Sequence, residues 1–282
     1  MNPASSATST SSTRSAAAAT PKTQDLFLSP DSEAGEAPRP LSLKGRVVLI
    51  TGGGQGLGAA LSLELGRQGA RLVLADMDLQ RAQAQAATLA PLDIEVMPLA
   101  LDVADPAQCR LAIGRVEQQF GRLDALINNA ATDVTAPLAE LEVEDWLRIL
   151  HTNLSGPFVL SKYAADCMAR QAGGGGHIIN IASTASKRAW PNASAYHASK
   201  WGLLGLSHAL HAELREQGIR VCAIVAGGMR TPFLLDRFPD LDPERLQDPA
   251  HVARAIRHVL EQPRGTCIAE LTVLPERESS WP

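Results

Sequence analysis

Seven short apolar runs alternate along the chain with longer stretches of helical periodicity, and this alternation limits the fold more than any other feature. The apolar runs fall at residues 46–50, 71–75, 94–99, 125–128, 177–181, 220–225 and 268–274. The helical stretches lie between them, at residues 56–68, 79–89, 106–120, 143–170, 195–216 and 249–261. Strands that are apolar on both faces and are joined by helices are typical of a parallel sheet covered on both sides. The sequence therefore predicts a doubly wound α/β domain with about seven parallel strands.

The first forty residues differ from the rest, being rich in Ser, Thr, Ala and Pro and almost free of large apolar side chains. Such a segment cannot offset the entropy of ordering by burying apolar surface. We expect residues 1–41 to form a disordered tail and residues 42–282 to form one domain. A Ser-rich segment is also typical of an organellar transit peptide, although those peptides are usually Arg-rich and amphipathic as well.

Charge and composition exclude several classes of partner. The formal net charge is −4, and basic and acidic residues are interspersed, so the chain has no basic stripe for a nucleic acid. No apolar run approaches the roughly 18 residues that a membrane helix needs. The four cysteines (Cys109, Cys167, Cys222 and Cys267) are far apart and form no metal-ligand pattern, so no metal is expected. We expect a soluble, cytoplasmic protein with a small-molecule substrate.

A glycine-rich segment, Thr51-Gly52-Gly53-Gly54-Gln55-Gly56-Leu57-Gly58, follows the first predicted strand and opens the first predicted helix. Glycines at this place let the backbone approach a pyrophosphate at a helix N-terminus. Taken alone, the segment is explained equally well as a tight turn. Its position after strand one favours a dinucleotide site.

An acidic residue ends the second predicted strand. Asp76 comes eighteen residues after Gly58, where a dinucleotide site needs an acceptor for the adenosine ribose hydroxyls. Together with Asp78 it would repel the 2′-phosphate of NADP, which carries about two negative charges. Asp78 alone is interpreted as the N-cap of the helix that begins at Leu79. The sequence therefore predicts NAD as cofactor in preference to NADP.

Tyr196 and Lys200 are four residues apart, which places them on one face of a predicted helix. A phenol with a pKa near 10 is a poor base at neutral pH, but a neighbouring ammonium favours the phenolate. The pair therefore suits acid–base catalysis, although this spacing also arises by chance on solvated helix faces.

Three further segments, taken with the glycine turn and the Tyr196–Lys200 pair, resemble the short-chain dehydrogenase/reductase family. The turn Thr51-Gly52-x-x-x-Gly56-x-Gly58 is similar to the family's cofactor turn, and Asp102-Val103 resembles its adenine-binding pair. Asn128-Asn129-Ala130-Ala131 resembles its Asn-Asn-Ala-Gly segment. The segment Asn180-Ile181-Ala182-Ser183 places a serine thirteen residues before Tyr196, as the family does. The resemblance covers about residues 43–275.

The resemblance implies a Rossmann-type oxidoreductase that interconverts a secondary alcohol and a ketone with a nicotinamide cofactor. Tyr196 would exchange a proton with the substrate oxygen, Ser183 would hydrogen-bond that oxygen, and Lys200 would lower the pKa of Tyr196 and hold the ribose. Asn153 would anchor a water molecule. The implied cofactor contacts are Thr51, Gly52, Gln55, Gly56, Leu57, Gly58, Asp76, Asp102, Val103, Asn129, Ala130, Tyr196, Lys200, Gly227 and Thr231. A homodimer or homotetramer is also implied, paired through the helices that bear Asn153 and Tyr196.

Proline 157 gives separate support for the position of Asn153. Pro157 has no N–H to donate to the carbonyl four residues back, which belongs to Asn153, so this carbonyl is free for a water molecule. An ordinary proline kink beside a buried asparagine is the alternative.

The chain departs from the family pattern at three positions. Ala226-Gly227 stands for the family's Pro-Gly, Cys222 for its usual Asn, and Ala131 for the last glycine of Asn-Asn-Ala-Gly. Residues 231–247 are also short for a segment that closes over a substrate.

Two other functions stay open from the sequence: a non-catalytic dinucleotide-binding regulator, and a dehydratase or epimerase on the same scaffold. His151 and His197 are expected to be structural.

Overall fold

Seven strands and eight α-helices make up the part of the chain that the computed structural model describes, residues 40–277. The strands are β1 Val47–Thr51, β2 Arg71–Asp76, β3 Val96–Ala100, β4 Ala125–Asn128, β5 Gly176–Ile181, β6 Ile219–Ala226 and β7 Glu270–Val273. The helices are α1 Gly56–Arg67, α2 Leu79–Leu89, α3 Pro106–Phe120, α4 Val143–Leu150, α5 Gly156–Arg170, α6 Ser194–Leu214, α7 Pro232–Leu235 and α8 Pro249–Leu260. The predicted tail at residues 1–41 lies, except for its last two residues, outside the described part.

All neighbouring strands are parallel, in the order β3-β2-β1-β4-β5-β6-β7. The strand order therefore reverses between β1 and β4, where the chain leaves one half of the sheet and starts the other. This confirms the predicted doubly wound α/β fold.

Alternate side chains of each strand enter two different cores. Val48 and Ile50 of β1 join a cluster with α1, α2 and α8, whereas Val47 and Leu49 join a cluster with α3, α5 and α6. This follows from the two-residue period of a strand. Each fully buried Val, Leu or Ile contributes about 1.5–3 kcal/mol relative to exposure, so the two cores together hold the sheet between its helix layers.

Aspartates begin three of the helices. Asp105 accepts hydrogen bonds from the N–H groups of Ala107 and Gln108 before α3, and Asp248 accepts one from Ala250 before α8. A proline follows each of these aspartates at a position where a helix needs no donor. Asp78 caps α2 in the same way, by accepting from Gln80 and Arg81. The N-cap predicted from the sequence at Asp78 is confirmed.

The predicted helix over residues 143–170 is wrong as a single helix. It consists of α4, a π-helical turn His151–Ser155 and α5. Pro157 cannot donate a backbone hydrogen bond, and the wider π-helical turn just before it accommodates the absence of that bond. Short α7, within residues 231–247, has no counterpart among the predicted elements.

Within residues 40–277, no helix is long and apolar enough to cross a membrane. The same residues contain no group of His, Cys, Asp and Glu side chains arranged to hold a metal ion.

His177 is a buried titratable group in the middle of the molecule. It lies on β5 with 2% of its surface exposed, and neither ring nitrogen has a hydrogen-bond partner. Burial lowers the pKa of His177 to about 3, and the positive charges of Arg220 and Arg46 act in the same direction. The imidazole is therefore neutral in the folded protein at neutral pH.

We expect His177 to make folding sensitive to acid. The unfolded imidazole takes up a proton below about pH 6.5 and the folded one only near pH 3, so stability falls as the pH drops through this window. Between pH 7 and pH 4 the loss from this residue should be about 3 kcal/mol in the free energy of unfolding. Urea unfolding of His177→Leu at pH 7 and pH 4 measures the same difference, and the free energy of unfolding should fall by about 3 kcal/mol less than in the wild type. His251→Gln, which removes an exposed imidazole from α8, is the control and should lose as much as the wild type.

Candidate active site

A cleft of about 1200 Å³ opens at the carboxyl ends of the strands, over the place where the strand order reverses. Ligands of doubly wound sheets bind at this place, because loops from neighbouring strands diverge there. Fourteen of the residues expected at the site line this cleft: Gly52, Gln55, Gly56, Leu57, Asp76, Asp102, Val103, Asn129, Ala130, Ser183, Tyr196, Lys200, Gly227 and Thr231. Thr51, Gly58 and Asn153 lie behind its surface.

Thr51 and Asn129 join the ends of β1 and β4. The Thr51 hydroxyl accepts hydrogen bonds from the N–H groups of Asn129 and Ala130, each at 3.0 Å. The Asn129 amide in turn donates to the carbonyls of Thr51 and Gly52, at 2.8 and 3.1 Å. Thr51 is 1% exposed. Its side chain therefore holds the glycine turn in place from behind.

The glycine turn brings the start of α1 to the cleft. A Cβ on Gly58 would lie 2.0 Å from the carbonyl oxygen of Gly52, so only glycine lets the helix pack against the turn. Gln55 precedes α1 and its side chain makes no capping hydrogen bond. The first N–H groups of this twelve-residue helix therefore lie at a cleft wall, the usual place for an anionic group.

Asp76 lies at one end of the cleft. Its carboxylate accepts hydrogen bonds from the N–H groups of Gly54 and Asp78, each at 3.1 Å, and this contact ties β2 to the glycine turn. Arg81 also lines this end, and its Nε lies 3.3 Å from Asp78 Oδ2. Sequence reasoning missed Arg81; its spacing of three residues from Asp78 on one helix was the available signal.

Asp102 and Val103 line the adjoining wall. Asp102 Oδ1 accepts a hydrogen bond from the N–H of Ala104 at 2.9 Å, and its own N–H donates to Gln108 Oε1 at 3.0 Å. These contacts fix the loop that leads from β3 to α3.

Ser183, Tyr196 and Lys200 meet at the other end of the cleft. Ser183 follows β5, while Tyr196 and Lys200 lie one turn apart on α6. The Ser183 hydroxyl is hydrogen-bonded to Tyr196. The Lys200 ammonium donates to the carbonyl of Ile181 at 2.8 Å and lies 5.6 Å from the centre of the Tyr196 ring.

Burial dominates the protonation of these two groups. It raises the pKa of Tyr196 to about 12, although the hydrogen bond with Ser183 acts in the opposite direction. It lowers the pKa of Lys200 to about 8, although the nearby Asp133 carboxylate opposes this. Burial is the largest influence on the pKa of Tyr196, and the expectation that Lys200 lowers this pKa stays a prediction.

Asn153 lies in the π-helical turn with no exposed surface. Its amide donates to the Thr132 carbonyl at 2.8 Å and to the Ser199 hydroxyl at 3.1 Å, and its oxygen accepts from the N–H of Thr132 at 2.8 Å. The Asn153 side chain thus joins the loop after β4 to α6, which it contacts at Ser199, the residue before Lys200.

His197 has both ring nitrogens occupied. Nδ1 lies 2.9 Å from the Ala185 carbonyl, and Nε2 accepts a hydrogen bond from the N–H of Trp190 at 3.1 Å. These contacts hold the loop after β5 against α6, which agrees with the structural interpretation of this histidine.

The segment 231–247 covers the end of the cleft that holds Tyr196. The Phe233 ring lies 6.0 Å from the Tyr196 ring, and the Arg237 guanidinium lies 4.0 Å from the centre of the Phe233 ring. Arg237 also pairs with Asp133, which belongs to the loop after β4. Sequence reasoning missed Asp133 and Arg237, because the partners are 104 residues apart and neither belongs to a motif.

Comparison with known proteins adds a family and several relatives. A family model described as short chain dehydrogenase matches residues 46–242. The D-threitol dehydrogenase of Mycolicibacterium smegmatis is 39% identical over 182 residues, which cover 64% of this chain and 69% of that protein.

Two solved structures share the fold. A metagenomic short-chain oxidoreductase in complex with NADP superposes with a TM-score of 0.74 at 31% identity, over 83% of this chain and 99% of the other. An NAD⁺-bound xylitol dehydrogenase superposes with a TM-score of 0.77 at 26% identity, over 83% of this chain and the whole of the other.

Proposed function

The chain belongs to the short chain dehydrogenase family of oxidoreductases, and from this premise we propose that it is an NAD-preferring enzyme that interconverts a secondary alcohol and a ketone. The observation that carries the proposal is the meeting of Ser183, Tyr196 and Lys200 in one cleft, at the end opposite Asp76. Relatives named D-threitol dehydrogenase and xylitol dehydrogenase are consistent with an alcohol substrate.

The residues of the cleft suit a nicotinamide dinucleotide. The start of α1 offers uncapped N–H groups to a pyrophosphate, and Asp76 offers carboxylate oxygens to ribose hydroxyls. Lys200 has three donors, of which the Ile181 carbonyl uses one, so donors remain for the second ribose. Asp102 and Val103 would hold the adenine, and Gly227 and Thr231 would lie against the nicotinamide.

The bound cofactor supplies or accepts a hydride, and the protein manages the accompanying proton. At neutral pH Tyr196 is a neutral phenol and Lys200 an ammonium, since their pKa values lie near 12 and 8. In reduction Tyr196 would give its proton to the carbonyl oxygen while the Ser183 hydroxyl hydrogen-bonds that oxygen. In oxidation Tyr196 would accept the proton from the alcohol. Asn153 positions α6 and the loop after β4 for this exchange.

Asp76 supports NAD over NADP. Its carboxylate already accepts two backbone N–H groups, which hold it at the cleft wall, where a 2′-phosphate would meet a fixed negative charge. Arg81 is the nearby cation that could offset this charge, but its Nε already lies beside the Asp78 carboxylate.

The wild-type protein should therefore bind NADH at least about tenfold more tightly than NADPH, a difference of about 1.4 kcal/mol. Asp76→Asn removes the negative charge and should narrow this ratio by about tenfold. Titration of nicotinamide fluorescence measures both affinities. Asp93→Asn, an exposed site away from the cleft, should keep the wild-type ratio. Tighter NADPH binding by the wild type would contradict the proposed preference.

Tyr196→Phe should lower kcat/KM at least about 100-fold on the best substrate from a panel of secondary alcohols, because it removes the proton donor and acceptor. NADH should still bind, which separates loss of chemistry from loss of fold. The matched control is Tyr163→Phe, since Tyr163 is the other tyrosine of the chain and lies on α5, where it packs against the core. Wild-type turnover by Tyr196→Phe would exclude the proposed role.

We also propose that α4, α5 and α6 pair across subunits in a homo-oligomer. Leu147, Phe158 and Trp201 lie on these three helices, and each is 45–52% exposed. Large apolar side chains on adjoining helices are typical of a protein interface.

The double variant Phe158→Glu, Trp201→Glu should be a monomer, because it places two charges in this apolar surface. Size-exclusion chromatography with light scattering measures the mass. Leu92→Glu, which changes a 46% exposed leucine outside these helices, should keep the wild-type mass. A monomeric wild type would show that the surface has no such partner.

A further inference from the structure

Asp133 carries a buried carboxylate oxygen with no partner, and it does so at the substrate end of the cleft. Its side chain is 7% exposed. Oδ2 pairs with Arg237, whereas Oδ1 makes no hydrogen bond. Within residues 40–277, the other buried side-chain atoms that make no hydrogen bond belong to Asn128, His177 and Arg257, and none of these residues lines the cleft.

The oxygen lies close to the proposed reacting groups. Arg237 pairs with Asp133 and stacks on Phe233, and the Phe233 ring in turn lies 6.0 Å from the Tyr196 ring. The Asp133 charge also acts on both Tyr196 and Lys200, since it raises the pKa of each. Asp133 and Tyr196 therefore line the same end of the cleft, joined by Arg237 and Phe233.

The chemistry of the pair selects what can bind there. An ionised carboxylate only accepts hydrogen bonds, so Oδ1 calls for a donor. Arg237 already balances the negative charge, which favours a neutral O–H donor over an ammonium group. A hydrocarbon in the same place would leave the oxygen buried without a partner, and this penalises substrates that lack the hydroxyl.

We propose that Asp133 turns Oδ1 towards the cleft when substrate binds and accepts a hydrogen bond from a second hydroxyl of the substrate, so that the enzyme acts on vicinal diols and other polyhydroxylated alcohols or on the corresponding hydroxyketones. Asp133 is then a specificity-determining residue. Arg237 is a positioning residue, which holds the carboxylate and ties it to the segment 231–247. The inference rests on the proposed function, because it assumes that a secondary alcohol binds at Tyr196.

The test is equilibrium binding of alcohols to the enzyme–NADH complex, in which an alcohol cannot react because both partners are already reduced. Three matched pairs serve as probes: 2,3-butanediol and 2-butanol, 1,2-cyclohexanediol and cyclohexanol, and 1,2-indanediol and 1-indanol. The change in NADH fluorescence reports each dissociation constant. For the wild type we expect the diol of each pair to bind at least tenfold more tightly than its mono-alcohol.

The variant Asp133→Leu, Arg237→Met removes both charges together, so no unpaired ion is left in the cleft. The preference for the diol should fall to less than about twofold, a loss of about 1 kcal/mol from a tenfold preference. Using the ratio within each protein cancels any general change in affinity. The matched control is Glu95→Leu, Arg71→Met, another Arg–carboxylate pair with its guanidinium stacked on a phenylalanine, outside the cleft. It should keep the wild-type preference.

Equal binding of diol and mono-alcohol by the wild type overturns the inference, as does an unchanged preference in the Asp133 variant or a failure of every diol to bind. Each of these results leaves the proposed oxidoreductase function in place if NADH binds and Tyr196→Phe loses turnover. Failure of NADH to bind, in contrast, removes the proposed function itself.

Discussion

The hydrogen bonds between Thr51 and Asn129 hold together the two halves of the sheet at the edge where the cleft opens. Neighbouring strands diverge into different loops at the point where their order reverses, and a gap results unless the loops are fastened. The Thr51 hydroxyl accepts from two N–H groups of the β4 loop, and the Asn129 amide returns two bonds to the glycine turn. The start of α1 and the loop that carries Asp133 are both placed by this junction.

A second set of buried polar contacts places α6, on which Tyr196 and Lys200 lie. Asn180 of β5 donates to the Ser207 hydroxyl and accepts from Asn128 of β4, at 2.9 and 2.8 Å. Nearer the cleft, Asn153 bonds to Ser199, and Lys200 bonds to the Ile181 carbonyl. Such polar contacts in a dry interior admit few alternative arrangements, since each misplaced group would lose its partner. The helix therefore meets the sheet in one register, and the positions of the reacting groups follow from it.

Features that depend on one element or one turn could be predicted from the sequence, and features that join distant segments could not. The glycine turn, Asp76 at the end of β2, and Tyr196 and Lys200 one helical turn apart keep their spacing in any fold of this class. The Asp133–Arg237 pair joins residues 104 positions apart, so no local pattern indicates it. The division of residues 143–170 was also missed, because α4, the π-helical turn and α5 follow one another with no loop between them. The burial that raises the pKa of Tyr196 was missed for a related reason, because a sequence shows the lysine four residues away but not which side chains are desolvated.

The burial of Tyr196 and Lys200 bears on the proposed proton exchange. Desolvation favours the neutral form of both groups, so it raises the pKa of Tyr196 and lowers the pKa of Lys200. The values near 12 and 8 leave a phenol beside an ammonium at neutral pH, which is the form that the proposed reduction would need. Oxidation of an alcohol asks for the opposite state, in which Tyr196 has released its proton. Additional positive charge or hydrogen-bond donors at the Tyr196 oxygen must then stabilise the phenolate, and the Ser183 hydroxyl is the donor already in contact with it. In the proposed exchange the phenol form of Tyr196 would serve reduction, and oxidation would need the bound cofactor and substrate to stabilise the phenolate.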